Sequence, residues 1–89
     1  MTMTNEQLSK MLKEELTDFK NQIVLLLDED GDITTYNLCE YLTFEVVSSG
    51  LLIESNVYGS LIRSLSEIDT IIIINRDIVK CTRIDLFDE

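Results

Sequence analysis

Asp69-Thr70-Ile71-Ile72-Ile73-Ile74-Asn75-Arg76-Asp77-Ile78-Val79-Lys80-Cys81-Thr82-Arg83-Ile84 is the stretch on which the reading of this chain turns. Four consecutive isoleucines, a three-residue polar break and a second β-branched run describe two strands joined by a tight connection. β-Branched side chains fit a pleated surface, and an unbroken run of them suggests a strand covered on both faces. Asn75, Arg76 and Asp77 supply the turn, because Asn and Asp tolerate left-handed dihedrals and bond their own backbone. Beyond it Ile78, Lys80 and Thr82 share one face and Val79, Cys81 and Arg83 the other, so neither face is cleanly apolar. The hairpin, with strands over 70–74 and 78–84, is expected at the centre of the core.

Upstream, two further hairpins are legible. Strand 22–27 contains the apolar run Ile23 to Leu27, Asp28-Glu29-Asp30-Gly31-Asp32 turns the chain, and 33–39 returns. Gly31 after Asp30 is a strong hairpin signal. Strands 43–47 and 51–55 flank the short turn Ser48-Ser49-Gly50. Segment 56–69 has two readings. Tyr58, Leu61, Ile62, Leu65 and Ile68 are helically spaced and Asn56 offers a cap, but Gly59 and several β-branched or hydroxylated residues weaken a helix. A short helix and a structured loop both stay open.

At the N-terminus Thr4 and Gln7 form a capping-box pattern. Leu8, Met11, Leu12, Leu16, Phe19 and Ile23 follow at spacings of 3, 1, 4, 3 and 4, which is one face of an α-helix. Glu6 and Lys10 form an i,i+4 pair on the polar side. Lys20 suits the negative C-terminal end and Asn21 can stop the helix, which is placed at 4–21. The expected fold is α+β, a single domain over 1–89. In it the amphipathic helix packs on a strongly bent antiparallel sheet or small barrel of about five strands.

Eighty-nine residues suffice for one modest core. No apolar run approaches the roughly 20 residues of a membrane span, and no basic-then-apolar leader opens the chain, so a soluble, cytoplasmic protein is expected. Charge is the most unusual feature: 17 acids against 7 bases give −10, with no histidine. Lys10, Lys13, Lys20, Arg63, Arg76, Lys80 and Arg83 are scattered, which disfavours direct nucleic-acid binding. An acidic surface can instead occupy a basic groove on another protein, steered there by long-range attraction. The plain alternative is that the charge only keeps a small protein soluble.

Little in the chain points to catalysis. Cys39 and Cys81 are 42 positions apart and read as buried small hydrophobes. Without histidine, Cys/His zinc sites and Cys/His nucleophiles cannot be built within one chain. The loop 28–32 fails as an EF-hand: with Gly31 at loop position 6, Leu26 occupies position 1 and Asn37 position 12. Tyr36, Tyr41 and Tyr58 read as core-edge residues with wet hydroxyls, and Lys80 as a salt-bridge partner. Serines lack a Gly-x-Ser-x-Gly context. No enzyme, metal or cofactor is expected.

Val24-Leu25-Leu26-Leu27-Asp28-Glu29-Asp30-Gly31 is similar to the first strand and turn of the Sm-like (LSm/Hfq-type) small β-barrels. Ile71-Ile72-Ile73-Ile74-Asn75-Arg76-Asp77-Ile78-Val79 is similar to their closing pair, and the order of elements over 5–85 resembles theirs. The family's RNA-contacting turns are replaced here by Ser48-Ser49-Gly50 and Asn75-Arg76. The resemblance therefore implies shape, and ring-like or dimeric assembly through edge strands, rather than RNA binding. The functional expectation is a small, non-enzymatic acidic interaction protein. It would act as a nucleic-acid mimic that inhibits a nucleic-acid-processing or defence enzyme, as mobile elements carry. Its partner-binding face would comprise Asp28, Glu29, Asp30, Asp32, Asp85, Asp88 and Glu89. The alternative is a homo-oligomeric Sm-like scaffold, holding a small ligand between subunits.

Overall fold

The Thr4 capping box is the first element the chain closes. In the computed structural model, which describes residues 3–17, 21–38, 43–55 and 57–86, Thr4 N–H donates to Gln7 Oε1 at 2.9 Å and Gln7 N–H to Thr4 Oγ1 at 3.1 Å. The two bonds satisfy donors that the first turn of a helix leaves open. Helix α1 runs Asn5–Glu15 and buries Leu8 and Leu12, with Met11 and Leu16 packed beside them. Glu6 and Lys10 do not close an ion pair.

The helix is shorter than its apolar stripe suggests. Leu16 leaves the helical region (φ −88°, ψ 77°) while its N–H still reaches Leu12 O. The buried Gln22 side chain donates from Nε2 to the Glu15 carbonyl, satisfying an orphan acceptor of the last turn. Ile23, which fits both the helical stripe and the apolar run of strand 22–27, lies in the strand. The expected continuation over Phe19 and Lys20 lies outside the described residues.

Seven strands follow among the described residues: β1 Gln22–Asp28, β2 Ile33–Asn37, β3 Thr43–Val47, β4 Gly50–Ser55, β5 Gly59–Arg63, β6 Ile68–Asn75 and β7 Lys80–Asp85. They form two antiparallel sheets, a four-stranded β2-β1-β6-β7 and a three-stranded β3-β4-β5. The architecture is α+β, but the sheets do not close into a barrel. Segment 56–69 supplies the extra strand. It contains β5 and a 3₁₀ turn, Leu65–Glu67, in place of the helix or loop left open above. The Ser55 hydroxyl accepts from the N–H groups of Val57 and Tyr58, which turns the chain back into β5.

β1 and β6 lie at the centre of the larger sheet, paired Val24 to Ile73 and Leu26 to Ile71. Those four side chains are buried, and α1, β4, Ile84 and Leu86 complete one core around them. Each fully buried Leu or Ile contributes roughly 1.5–3 kcal/mol relative to exposure. The isoleucine run is not covered on both faces. Ile71 and Ile73 are buried, while Ile72 and Ile74 are half-buried beside Leu25 and Ile23 on the outer face.

The closing hairpin also differs in its turn. Asn75 is the last residue of β6 and its Oδ1 accepts from Asp77 N–H at 3.0 Å. The connection runs through residues 76–79, so Ile78 and Val79 sit in the turn, 63% and 90% exposed, and not in the strand. Val79 adopts φ 52°, a left-handed conformation rare for a β-branched residue. Cys81 is an exposed free thiol on β7, correcting the expectation of a buried one; Cys39 lies outside the described residues. Among the described residues no helix is long and apolar enough to cross a membrane.

Candidate acidic interface

The antiparallel register brings distant acids to one end of the four-stranded sheet. Leu27, Thr70 and Asp85 form a row across β1, β6 and β7, and Asp28 pairs with Ile68. Two strand spacings, about 10 Å, therefore separate the backbone rows of β1 and β7. The β1–β2 turn and the end of β7 leave the sheet at that same end. A register shift beside Leu27 and Asp28 leaves Asp69 without a partner in β1, and its carbonyl accepts from Leu86 N–H at 3.0 Å.

Within the turn, Asp28 has a structural task. Its Oδ1 accepts from Asp32 N–H at 2.9 Å and Asp30 N–H at 3.2 Å, while its carbonyl accepts from Gly31 N–H at 3.0 Å. Gly31 supplies the positive φ of 87° that this turn demands. With Asp28 engaged inward, the exposed carboxylates of the loop are those of Glu29, Asp30 and Asp32.

Asp85 is also engaged. Its Oδ1 accepts from Arg83 Nε at 2.9 Å and from the Thr70 hydroxyl at 3.0 Å. The Arg83 hydrogen bond, followed by that of Thr70, holds the Asp85 carboxyl below the usual carboxylate range. Reciprocally, Asp85, with a smaller contribution from Asp69, raises the Arg83 pKa. Asp88 and Glu89, also expected on this face, lie outside the described residues.

Two acids missing from the expected set join it. Glu67 and Asp69 are exposed at the start of β6, next to the β1–β2 turn. Their sequence signal was the alternation Ser66-Glu67-Ile68-Asp69, legible only once β6 is known to begin at Ile68 and to pair with β1. The resulting end of the sheet carries carboxylates from three chain segments, with Arg83 as its cation. Arg76 and Lys80 belong to the opposite end, where Lys80 Nζ lies 3.6 Å from Glu15 Oε2. Lys80 is an exposed salt-bridge partner.

The clustered acids form a field and not a coordination shell. Among the described residues no three Cys, Asp or Glu side chains are grouped to hold a metal ion. Away from this end, a cleft of ≈390 Å³ separates β2 from β4 and β5, bordered by Thr35, Tyr36, Ile53, Tyr58 and Leu61. Tyr36 is half-buried with its ring edge-on to Phe44 (5.6 Å, 84°), while Tyr58 is exposed; Tyr41 lies outside the described residues. The cleft is lined by hydroxyls and apolar groups and carries no charged side chain. Compared with protein-family models, curated proteins and solved structures, the chain matches none.

Proposed function

We propose that this chain is a non-enzymatic acidic interaction protein that docks the β1–β2 end of its larger sheet into a basic groove. A nucleic-acid-processing or defence enzyme has such a groove, and filling it with carboxylates in place of phosphates inhibits it. The carrying observation is the convergence of Glu29, Asp30 and Asp32 with Glu67 and Asp69 at one sheet end. Their placement on the β1–β2 turn, the Leu65–Glu67 turn and the start of β6, elements joined by the β1–β6 pairing, supports a defined docking face.

The test is capture from lysate on immobilised protein at low and high salt, beside a variant carrying Glu29→Gln, Asp30→Asn and Asp32→Asn. One basic, nucleic-acid-handling protein retained at low salt and released at high salt, and lost in the variant, is the expected result. Capture that ignores salt, or that survives the substitutions, removes this reading.

A second reading, homo-oligomeric assembly through strand edges, is supported by a separate observation. Strand β5 lies at the edge of its sheet with Leu61 and Ile62 exposed on opposite faces. Light scattering on the purified chain tests it, and a strict monomer refutes it.

A further inference from the structure

The four sheet edges of the molecule are not equally protected. β7 carries Lys80, Arg83 and Asp85 along its length, and β3 carries Glu45 and lies against α1. Charge and cover of this kind keep edges from pairing with other chains. The other two edges lack charge over most of their length. β2, Ile33–Asn37, carries no charged residue and one exposed large apolar side chain, Ile33. β5 is uncharged over Gly59-Ser60-Leu61-Ile62, ends on Arg63 and exposes both Leu61 and Ile62; the chain contains no proline to blunt either edge. Leu61 is 48% and Ile62 50% exposed, and Val57 (68%) and Tyr58 (73%) extend the apolar surface around the β4–β5 tip. From Ser55 to Ile62 there is no Asp, Glu, Lys or Arg, in a chain whose residues are 27% charged.

We propose that β5 pairs antiparallel with β5 of a second copy of this chain, about a two-fold axis at Leu61. Joining the two three-stranded sheets makes one continuous sheet across the dimer. In that register Leu61 faces its own counterpart, Ser60 faces Ile62, and Gly59 faces Arg63, so no like charges meet. A second copy is the occupant this register fits, because the β5 edge is self-complementary about Leu61. At −10 two copies repel overall, and β5 is an edge along which they can approach without bringing carboxylates together, with more exposed apolar surface than the β2 edge. Leu61 also borders the ≈390 Å³ cleft beside Ile53 and Tyr36, which gives the incoming leucine an apolar surface to cover. This inference rests on the assembly reading and is independent of the acidic one.

Sedimentation equilibrium of the full chain, up to concentrations on the order of 100 µM, tests it. The expected result is a monomer–dimer equilibrium that tightens as salt rises, because salt screens the mutual repulsion. That response is opposite in sign to the salt-labile capture expected of the acidic end. Leu61→Lys places two ammonium groups opposite each other across the axis, and it and Ile62→Lys each weaken the dimer by at least about tenfold. Ile33→Lys, the same charge change at an exposed apolar position on β2, leaves it unchanged. Amide exchange over residues 59–63 of the unsubstituted chain slows as concentration rises, a readout that stands even where a variant fails to fold. A multimer that survives both β5 substitutions, or that Ile33→Lys dissolves, overturns the β5 interface and spares the assembly reading. A chain that stays monomeric overturns both.

Discussion

The Thr70 hydroxyl donates to the Asp85 carboxylate at 3.0 Å across the β6–β7 pair, joining a side chain only 1% exposed to one on the surface. A buried hydroxyl is satisfied and a surface carboxylate is oriented by one bond. Arg83 completes the arrangement from the same strand. The Asp85 pKa is therefore depressed in the folded chain, first by Arg83 and then by Thr70.

A depressed folded pKa means that the Asp85 contribution to stability is fully present above its unfolded value, near 3.8, and is lost as pH falls through the folded value. Asp85→Asn should lower the melting temperature modestly at neutral pH. The gap from the unsubstituted chain should close below about pH 4. Thermal melts of both proteins over that range check it. A gap that widens on acidification contradicts the assignment.

Ile73 is 2% exposed at the middle of β6, opposite Val24. Ile73→Asp should abolish folding, because it buries an unpaired carboxylate among aliphatic side chains. Ile73→Val should only cost about 0.5–1.5 kcal/mol, read as a shift of the denaturant midpoint with unchanged slope.

Gly50 and Gly31 both have positive φ but differ in surroundings. A Cβ on Gly50 (φ 142°) would collide with the Arg63 carbonyl oxygen, whereas one on Gly31 (φ 87°) meets nothing within 4 Å. Gly31→Ala should therefore cost only the left-handed strain, about 1–3 kcal/mol. Gly50→Ala adds a clash with the β5 backbone and should disrupt the β4–β5 pair. Amide exchange over residues 59–63 distinguishes the two: accelerated in Gly50→Ala and near normal in Gly31→Ala.

Val79 offers the opposite opportunity. It is 90% exposed at φ 52°, so its side chain has little packing to lose and its backbone is strained. Val79→Asn or Val79→Gly should stabilise the chain by about 1 kcal/mol, raising the melting temperature by several degrees.

The sequence was most legible where a short-range pattern had one structural solution. Thr4 and Gln7 announced the helix start, and Ile71–Ile74 the central strand. Asp30-Gly31 announced its turn, where the glycine has a positive φ. Legibility failed where a pattern had two solutions. Leu61, Ile62 and Leu65 satisfy helical spacing, but a strand at 59–63 pairs with β4 and satisfies its backbone groups there. Ile78 and Val79 look like strand residues, but the Asn75 side chain caps Asp77 N–H and moves the start of β7 to Lys80.

The candidate interface divides in the same way. Its loop acids, Asp28 to Asp32, were visible as a local run. That Asp28 would be spent on holding the turn, and that Glu67 and Asp69 would stand beside its neighbours, depends on the register of β1 with β6. The elements with unambiguous local chemistry, the apolar centre and the acidic excess follow from the residues alone, because propensity, capping and charge act within a few residues. Two sheets in place of one barrel, the set of acids brought to one sheet end, and the strands left at sheet edges come from long-range pairing. Those outcomes depend on hydrogen bonds between strands about 45 residues apart in sequence, as in Leu26 to Ile71, and no local pattern specifies such a pairing.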